Sequence, residues 1–260
     1  MPAGLATVYN SPAQTARVVS EAWGQENLFC PCCTSPKLKP SAPNTRAIDF
    51  TCPECEAPFQ LKCQSRPLSR RLTDAGYSAM VDAIKKGQTP NFFALHYDRS
   101  RWEAQDLVLI PHFALSLSCV ERRKPLGPLA RRRGWVGCNI VLANIPPDAT
   151  IRVLEGGRPL SPALVREQYA QLQPLARLEH EMRGWALDVL RFVRCISRDE
   201  FSLADIYSFH DELQRLHPRN RHIREKVRQQ LQRLRDLGFV EFLDHGRYRL
   251  KHRRSNPRGC

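Results

Sequence analysis

Two short cysteine pairs constrain this chain more than any other feature. The first lies in FCPCCT, at Cys30 and Cys33, and the second in TCPEC, at Cys52 and Cys55, with eighteen residues between them. C-x2-C twice at such a separation is the spacing of a zinc ribbon, in which four thiolates take tetrahedral corners and close a structural site. Two unrelated pairs of buried thiols would need neither the internal nor the mutual spacing. One alternative stays open, because Cys32 lies inside the first pair and can exchange with Cys33 as ligand. Cys63, Cys119, Cys138, Cys195 and Cys260 have no ligand spacing, and the four before the tail read as small core residues.

The second pair sits inside AIDFTCPECEAPFQLKC, residues 47–63, where Asp49 lies on one apolar strand and Gln60 and Lys62 on the next. Alternation puts Gln60 and Lys62 on the same face and turns Leu61 toward the core. Hydrolysis of a phosphodiester needs a divalent ion to polarise the phosphate and acidify a water, and a cation near the nucleophile. Asp49 offers a hard oxygen ligand, Gln60 its amide oxygen, and Lys62 a group that positions or deprotonates water. Asp, a hairpin, then acid-x-Lys is the pattern of the PD-(D/E)xK nucleases. Alone it is weak, since polar residues at strand edges look the same.

Charge points in the same direction. With 40 Lys and Arg against 26 Asp and Glu the net charge is +14, which favours a polyanionic partner. Nucleic acid fits better than a membrane, because the charge is on no amphipathic anchor and no apolar run approaches the ~20 residues that span a bilayer. The N-terminus MPAGLATVYNSPAQTARVV lacks a charged start followed by an apolar stretch, so a cytoplasmic location with reduced thiols is expected.

Residues 13–25 and GYSAMVDAIKKG read as helices, and NFFALHY, DLVLIP, WVGCNIVL and TIRVLEGG as strands. The expected fold class is therefore α/β over residues 1–180, with the ribbon inserted early. From Glu181 the texture becomes helical: EMRGWALDVLRFVRCI, then FSLADIYSFHDELQRL with a capping box at Ser202 and Asp205, then a helix from Asn220 to Leu237 stopped by Gly238. A hairpin, FVEFLDHGRYRLK, follows with its turn at Asp244 to Gly246. Three helices and a basic hairpin predict an independent winged helix over residues 181–260.

Its third helix carries two stripes. Ile223, Val227, Leu231, Leu234 and Leu237 make an apolar face, whereas Arg221, Arg224, Arg228 and Arg235 point elsewhere. From Arg215 to Arg235 there are eight Lys or Arg and one acid, Glu225, although a merely solvated helix face mixes signs. This is expected of a DNA-reading helix whose start, Asn220, Arg221, His222 and Arg224, reaches bases or phosphates while Arg228 extends the basic face. A second basic segment holds Arg122, Arg123, Lys124, Arg131, Arg132 and Arg133 and ends in Gly134 and Trp135. Such a loop can clamp phosphates, although by pattern alone Trp135 reads first as a core residue opening the strand WVGCNIVL.

As a whole the sequence resembles the DpnI family of methyl-directed restriction endonucleases. The match is carried by FCPCC, CPEC, AIDF, FQLK, DAGYSAM, TPNFFALHY, RKPLGPLARRRGWVGCNI and HIREKVRQQLQRLRD, in one order over nearly the full length. The resemblance implies a PD-(D/E)xK nuclease domain with a zinc site followed by a winged helix. It implies a prokaryotic type II site-specific deoxyribonuclease of a restriction-modification system, making double-strand cleavage at GATC containing N6-methyladenine. It further implies catalysis by Asp49, Gln60 and Lys62, magnesium held by Asp49, Gln60 and the backbone of Leu61, and structural zinc on Cys30, Cys33, Cys52 and Cys55. Trp135 would meet the methylated adenines. Double-stranded DNA is the expected partner, with no obligate protein partner. Where the family has a glutamate this chain has Gln60, a neutral ligand in place of a charged one. A catalytically silent methyl-DNA-binding regulator on the same fold is the competing reading, sustained by that one residue. A zinc-ribbon RNA-binding protein would explain charge and cysteines but leave Asp49 and Lys62 unused.

Overall fold

The computed structural model describes residues 1–251 apart from 8–10, 43, 44, 46, 69 and 197, so Cys260 lies outside the described residues. In chain order the strands are β1 (Lys39–Pro40), β2 (Phe50–Thr51), β3 (Pro58–Gln64), β4 (Arg71–Gly76), β5 (Asn91–Asp98), β6 (Glu103–Ile110), β7 (Val120–Arg122), β8 (Gly137–Val141), β9 (Ile151–Glu155), β10 (Arg158–Pro159), β11 (Glu200–Ser202), β12 (Val240–Asp244) and β13 (Arg247–Leu250). The helices are α1 (Pro12–Asn27), α2 (Tyr77–Lys86), α3 (Pro162–Leu172), α4 (His180–Cys195), α5 (Leu203–Tyr207), α6 (His210–Leu216) and α7 (Ile223–Asp236).

The fold is mixed α/β around a seven-stranded sheet in the order β1-β2-β3-β5-β6-β9-β10. Only β3 and β5 run parallel in it, from Phe59 beside Asn91 to Gln64 beside His96. Parallel neighbours need a crossover, and here β4 and α2 form it. Strand β4 pairs instead with β8, which pairs with β7, making a small second sheet. Continuous apolar stretches explain the burial of the central strands: Asn91 to Leu95 of β5 are all buried, and Phe59 stacks on Phe93 with ring centroids 5.6 Å apart. Helix α1 lies on β2 and β3 at Gly24, where a Cβ would come 2.8 Å from the Phe50 ring. Helix α2 ends as expected at Gly87, whose φ of 65° is left-handed.

The C-terminal part is a helix-turn-helix with a three-stranded wing, β11-β13-β12. Two expectations need correction. FSLADIYSFHDELQRL is not one helix: Phe201 and Ser202 belong to β11, and the rest splits into α5 and α6 around Ser208 and Phe209. The capping box is formed, with Ser202 and Asp205 bonded reciprocally, and it starts only the short α5. The third helix begins at Ile223 rather than Asn220, because the Asn220 side chain accepts from the His222 N–H at 2.7 Å and shapes the preceding turn.

Helix α4 is also tied to the sheet side. Helix α4 buries Arg183, Gly184, Trp185, Ala186, Leu187, Asp188, Val189, Leu190, Phe192 and Val193, too many for one apolar stripe, so it is covered on several sides. Its Asp188, fully buried, accepts from Ser118 Oγ at 2.7 Å on the sheet side and pairs with His217 Nε2 at 2.8 Å on the other. Arg194 holds Asp148 through two hydrogen bonds of 2.7 and 2.5 Å. Among the described residues no helix is long and apolar enough to cross a membrane.

Candidate nuclease centre and nucleic-acid interface

The zinc expectation meets a cluster of four sulfurs. The Sγ atoms of Cys30, Cys33, Cys52 and Cys55 all lie within 4.8 Å of one another, with Cys30 3.6 Å from Cys55 and Cys33 3.5 Å from Cys52. Tetrahedral Zn–S bonds of about 2.3 Å put sulfurs roughly 3.8 Å apart, so the geometry fits. Backbone amides fold onto the sulfurs, from Cys32 to Cys30, Ser35 to Cys33, and Glu54 and Cys55 to Cys52. For Cys52, burial raises the thiol pKa but the Cys55 and Glu54 amides outweigh it and hold it near 6, while burial pushes Cys55 up to about 12. Thiols so crowded cannot all ionise without a cation among them, which suits a dication site. Cys32 stands outside the cluster, so the ambiguity falls to Cys33. Of the remaining cysteines Cys119 and Cys138 are core residues, whereas Cys63 and Cys195 are only half-buried. Arg166 of α3 braces the first knuckle by donating to the carbonyls of Cys30, Thr34 and Ser35.

Asp49 sits not within a strand but one residue before β2, where its N–H still donates to the Phe59 carbonyl at 2.9 Å. Its Oδ2 accepts from the Leu61 N–H at 2.8 Å, and among the described residues Oδ1 accepts nothing. Burial pushes its carboxyl above the usual range, against the pull of that N–H and of the Lys62 ammonium. Gln60 is 7% exposed, and its amide has no hydrogen-bond partner among the described residues. Neither polar atom of that amide is among the fully buried ones left without a partner, so solvent reaches it. Lys62 lies 2.5 Å from Asp74 of β4. Leu61 is buried, with Cδ2 3.2 Å from where a Gly24 Cβ would be, so only its backbone is available as a ligand.

Beside this centre the basic loop between β7 and β8 is exposed from Arg122 to Leu129, and again at Arg131, Arg132 and Arg133. Trp135 is half-buried rather than a core residue. Its ring lies on paired glycines of β4 and β8: a Cβ on Gly137 would stand 2.8 Å from two ring carbons, and one on Gly76 3.5 Å from Nε1. Arg132 covers the ring from 4.7 Å. In the helix-turn-helix, Arg221, His222, Arg224 and Arg228 are exposed, while Ile223, Val227, Leu231 and Leu234 are buried, as the two stripes require. Arg219, Asn220, Arg221, His222, Glu225, Lys226 and Gln229 rim an open recess of about 540 Å³. Tyr207 of α5 holds two of the arginines, accepting from Arg228 Nε at 2.7 Å and facing Arg224 from 5.2 Å.

Residues 1–178 match the DpnI family model, described as the Dam-replacing family, and residues 181–250 match the Dam-replacing HTH domain. The chain belongs to the Dam-replacing family. Its C-terminal part is that family's helix-turn-helix domain.

Sequence reasoning missed two acids at the family's candidate centre. Glu21 of α1 lies close enough to Asp49 to repel it, and burial first, then that repulsion, pushes its carboxyl up against the pull of Arg17. Helical spacing gave no reason to single it out from the other polar residues of α1. Asp74 had a legible signal: in RLTDAG it alternates with Leu72 on the inward face of a strand, where a charge needs a partner. The arginines of the wing are the opposite case. Arg247 and Arg249 are both paired with Glu200, so the hairpin is less basic in effect than its sequence reads.

Proposed function

We propose that this protein is a methylation-dependent restriction endonuclease that hydrolyses both strands of DNA at GATC containing N6-methyladenine. Residues 1–180 form the nuclease module and 181–260 the reader. The observation that carries the reading is the desolvated carboxylate of Asp49 within electrostatic reach of the Lys62 ammonium, with Gln60 two residues before that lysine on the same strand. Asp49 Oδ1, the Gln60 amide oxygen and the Leu61 carbonyl would hold magnesium, which when bound polarises the phosphate and acidifies water. Lys62 places a positive charge beside the scissile phosphate and orients the attacking water. Water oxygen bonds to phosphorus, one P–O bond to deoxyribose breaks, and a phosphomonoester and a hydroxyl remain. The four cysteines hold zinc in a structural role.

Family membership supports the methyl-directed part, and the exposed arginines around Trp135 and along α7 support DNA as the substrate. Two readers make physical sense, because pockets discriminate one methyl group by only ~1 to 3 kcal/mol and a palindrome methylated on both strands can be inspected twice. Arg131, Arg132 and Arg133 clamp phosphate while Trp135 touches the methylated base; Asn220, Arg221, His222, Arg224 and Arg228 form the second reader. Gln60 favours a second reading, a silent methyl-DNA binder, since it gives the metal no charge. Gln60→Glu separates the two: a nuclease keeps or gains activity and needs less magnesium, whereas a silent binder cuts nothing in either form. Asp49→Ala and Lys62→Ala should abolish cutting with methylated-DNA binding retained, and unchanged cutting by either would defeat the assignment.

A further inference from the structure

The crossover strand β4 brings to the candidate centre a carboxylate that the reading above does not use. The Asp74 side chain is 2% exposed, and its Oδ1 lies 2.5 Å from Nζ of Lys62, itself 21% exposed. Among the described residues no donor meets Oδ1 in hydrogen-bond geometry, so its one close partner is the Lys62 charge. A carboxylate this deep persists only with a compensating charge. Lys62 is that charge. The count of formal charges shows what Asp74 adds: Asp49 and Lys62 cancel and Gln60 contributes nothing, so those three residues alone make a neutral site. A dication gains little from a neutral site that contains an ammonium. With Asp74, and with Glu21 and Arg17 of α1 offsetting one another as an ion pair beside Asp49, the site carries one net negative charge.

Resting on the nuclease reading, we propose that Asp74 is a positioning residue of this centre: it anchors the Lys62 ammonium beside Asp49 and offsets its charge, so that a divalent cation and a phosphate can be held together. Asp74 also lies two residues before Gly76, so the strand that anchors the lysine seats Trp135.

Asp74→Asn keeps the shape and removes the charge. In the full-length protein, calcium alone, titrated by calorimetry, should bind about tenfold more weakly to this variant. On methylated GATC duplex kcat should fall by about tenfold or more while the Kd for the duplex stays within twofold, and Asp74→Glu should recover part of the loss. Unchanged calcium affinity and kcat would overturn the proposal. A stability cycle reads the pair without any chemistry: Lys62→Met strands a buried carboxylate and lowers Tm, and adding Asp74→Asn to it should raise Tm again. Additive losses in the cycle would also overturn the proposal. If Asp74→Asn alone fails to fold, the double variant, which carries neither charge, must fold. Should the wild type cut no DNA at all, the nuclease reading fails, while calcium affinity and the Tm cycle still decide the role of Asp74.

Discussion

Gly137→Ala tests how Trp135 is held. A Cβ there would stand 2.8 Å from Cη2 and Cζ3 of the ring, whereas carbons in ordinary contact sit about 3.5 to 4.0 Å apart. The ring must therefore lift by about 1 Å, and because Trp135 is half-buried, with Arg132 over its face, it has room to do so. Removing a strand glycine stabilises by roughly 0.5 to 1 kcal/mol, and overpacking costs about 1 to 3 kcal/mol, so the net should be a loss of about 0 to 2.5 kcal/mol. Function should suffer more, since a displaced ring cannot contact a methyl group: preference for methylated over unmethylated GATC duplex should drop by about tenfold. Gly76→Ala is the internal control, because its Cβ would meet Nε1 at 3.5 Å, an ordinary contact, and its φ of −66° suits alanine. Fluorescence titration of both variants with the two duplexes, beside thermal melts, provides the assay. If Gly137→Ala keeps the full methyl preference, Trp135 is not seated as described or does not read the methyl.

Cys55→Ser should bring metal content below one zinc per chain and lower Tm, and a wild type that proves stable with no metal would refute the structural site. Arg194→Ala breaks a buried pair with Asp148 and should cost about 3 to 5 kcal/mol in denaturant melts; a loss under about 1 kcal/mol would mean that α4 is not clamped there. Asp205→Ala should cost about 1 kcal/mol through its cap. The Asp205 carboxyl is held below its usual range, first by the Ser202 N–H and then by the Ser202 hydroxyl and Arg198. Its contribution is therefore full above about pH 4 and lost as pH falls through the depressed value, so the gap between wild type and variant should close in acid. A gap that widens in acid would contradict the sign.

The local elements were legible where one periodicity ruled. The four-cysteine spacing, the apolar stripe of α7 and the glycine stop of α2 each rest on neighbours in sequence, and each is formed. What could not be read depended on partners distant in the chain. Residues 201–216 have helical periodicity throughout, yet Phe201 is drawn into β11 by stacking on Tyr248 of β13, at 5.5 Å between ring centroids. That α4 is tied to the sheet side could not be read for a similar reason, since Ser118 and Asp148, which hold it there, lie 70 and 46 residues before their partners. At the candidate site, Asp49, Gln60 and Lys62 are legible as candidates because they flank one hairpin. Asp74 comes from the crossover, and Trp135 shows its half-exposed face only once β4 and β8 pair.

The central claim is tested most directly by one cleavage assay with the wild-type protein. Plasmid carrying N6-methyladenine at GATC and the same plasmid without the methyl groups should be incubated with magnesium, and with magnesium chelated. Linear fragments should appear only from the methylated plasmid and only with the metal free in solution. Equal cutting of both plasmids would remove methyl direction, and no cutting of either, with the methylated plasmid still bound preferentially, would make the protein a reader without a nuclease.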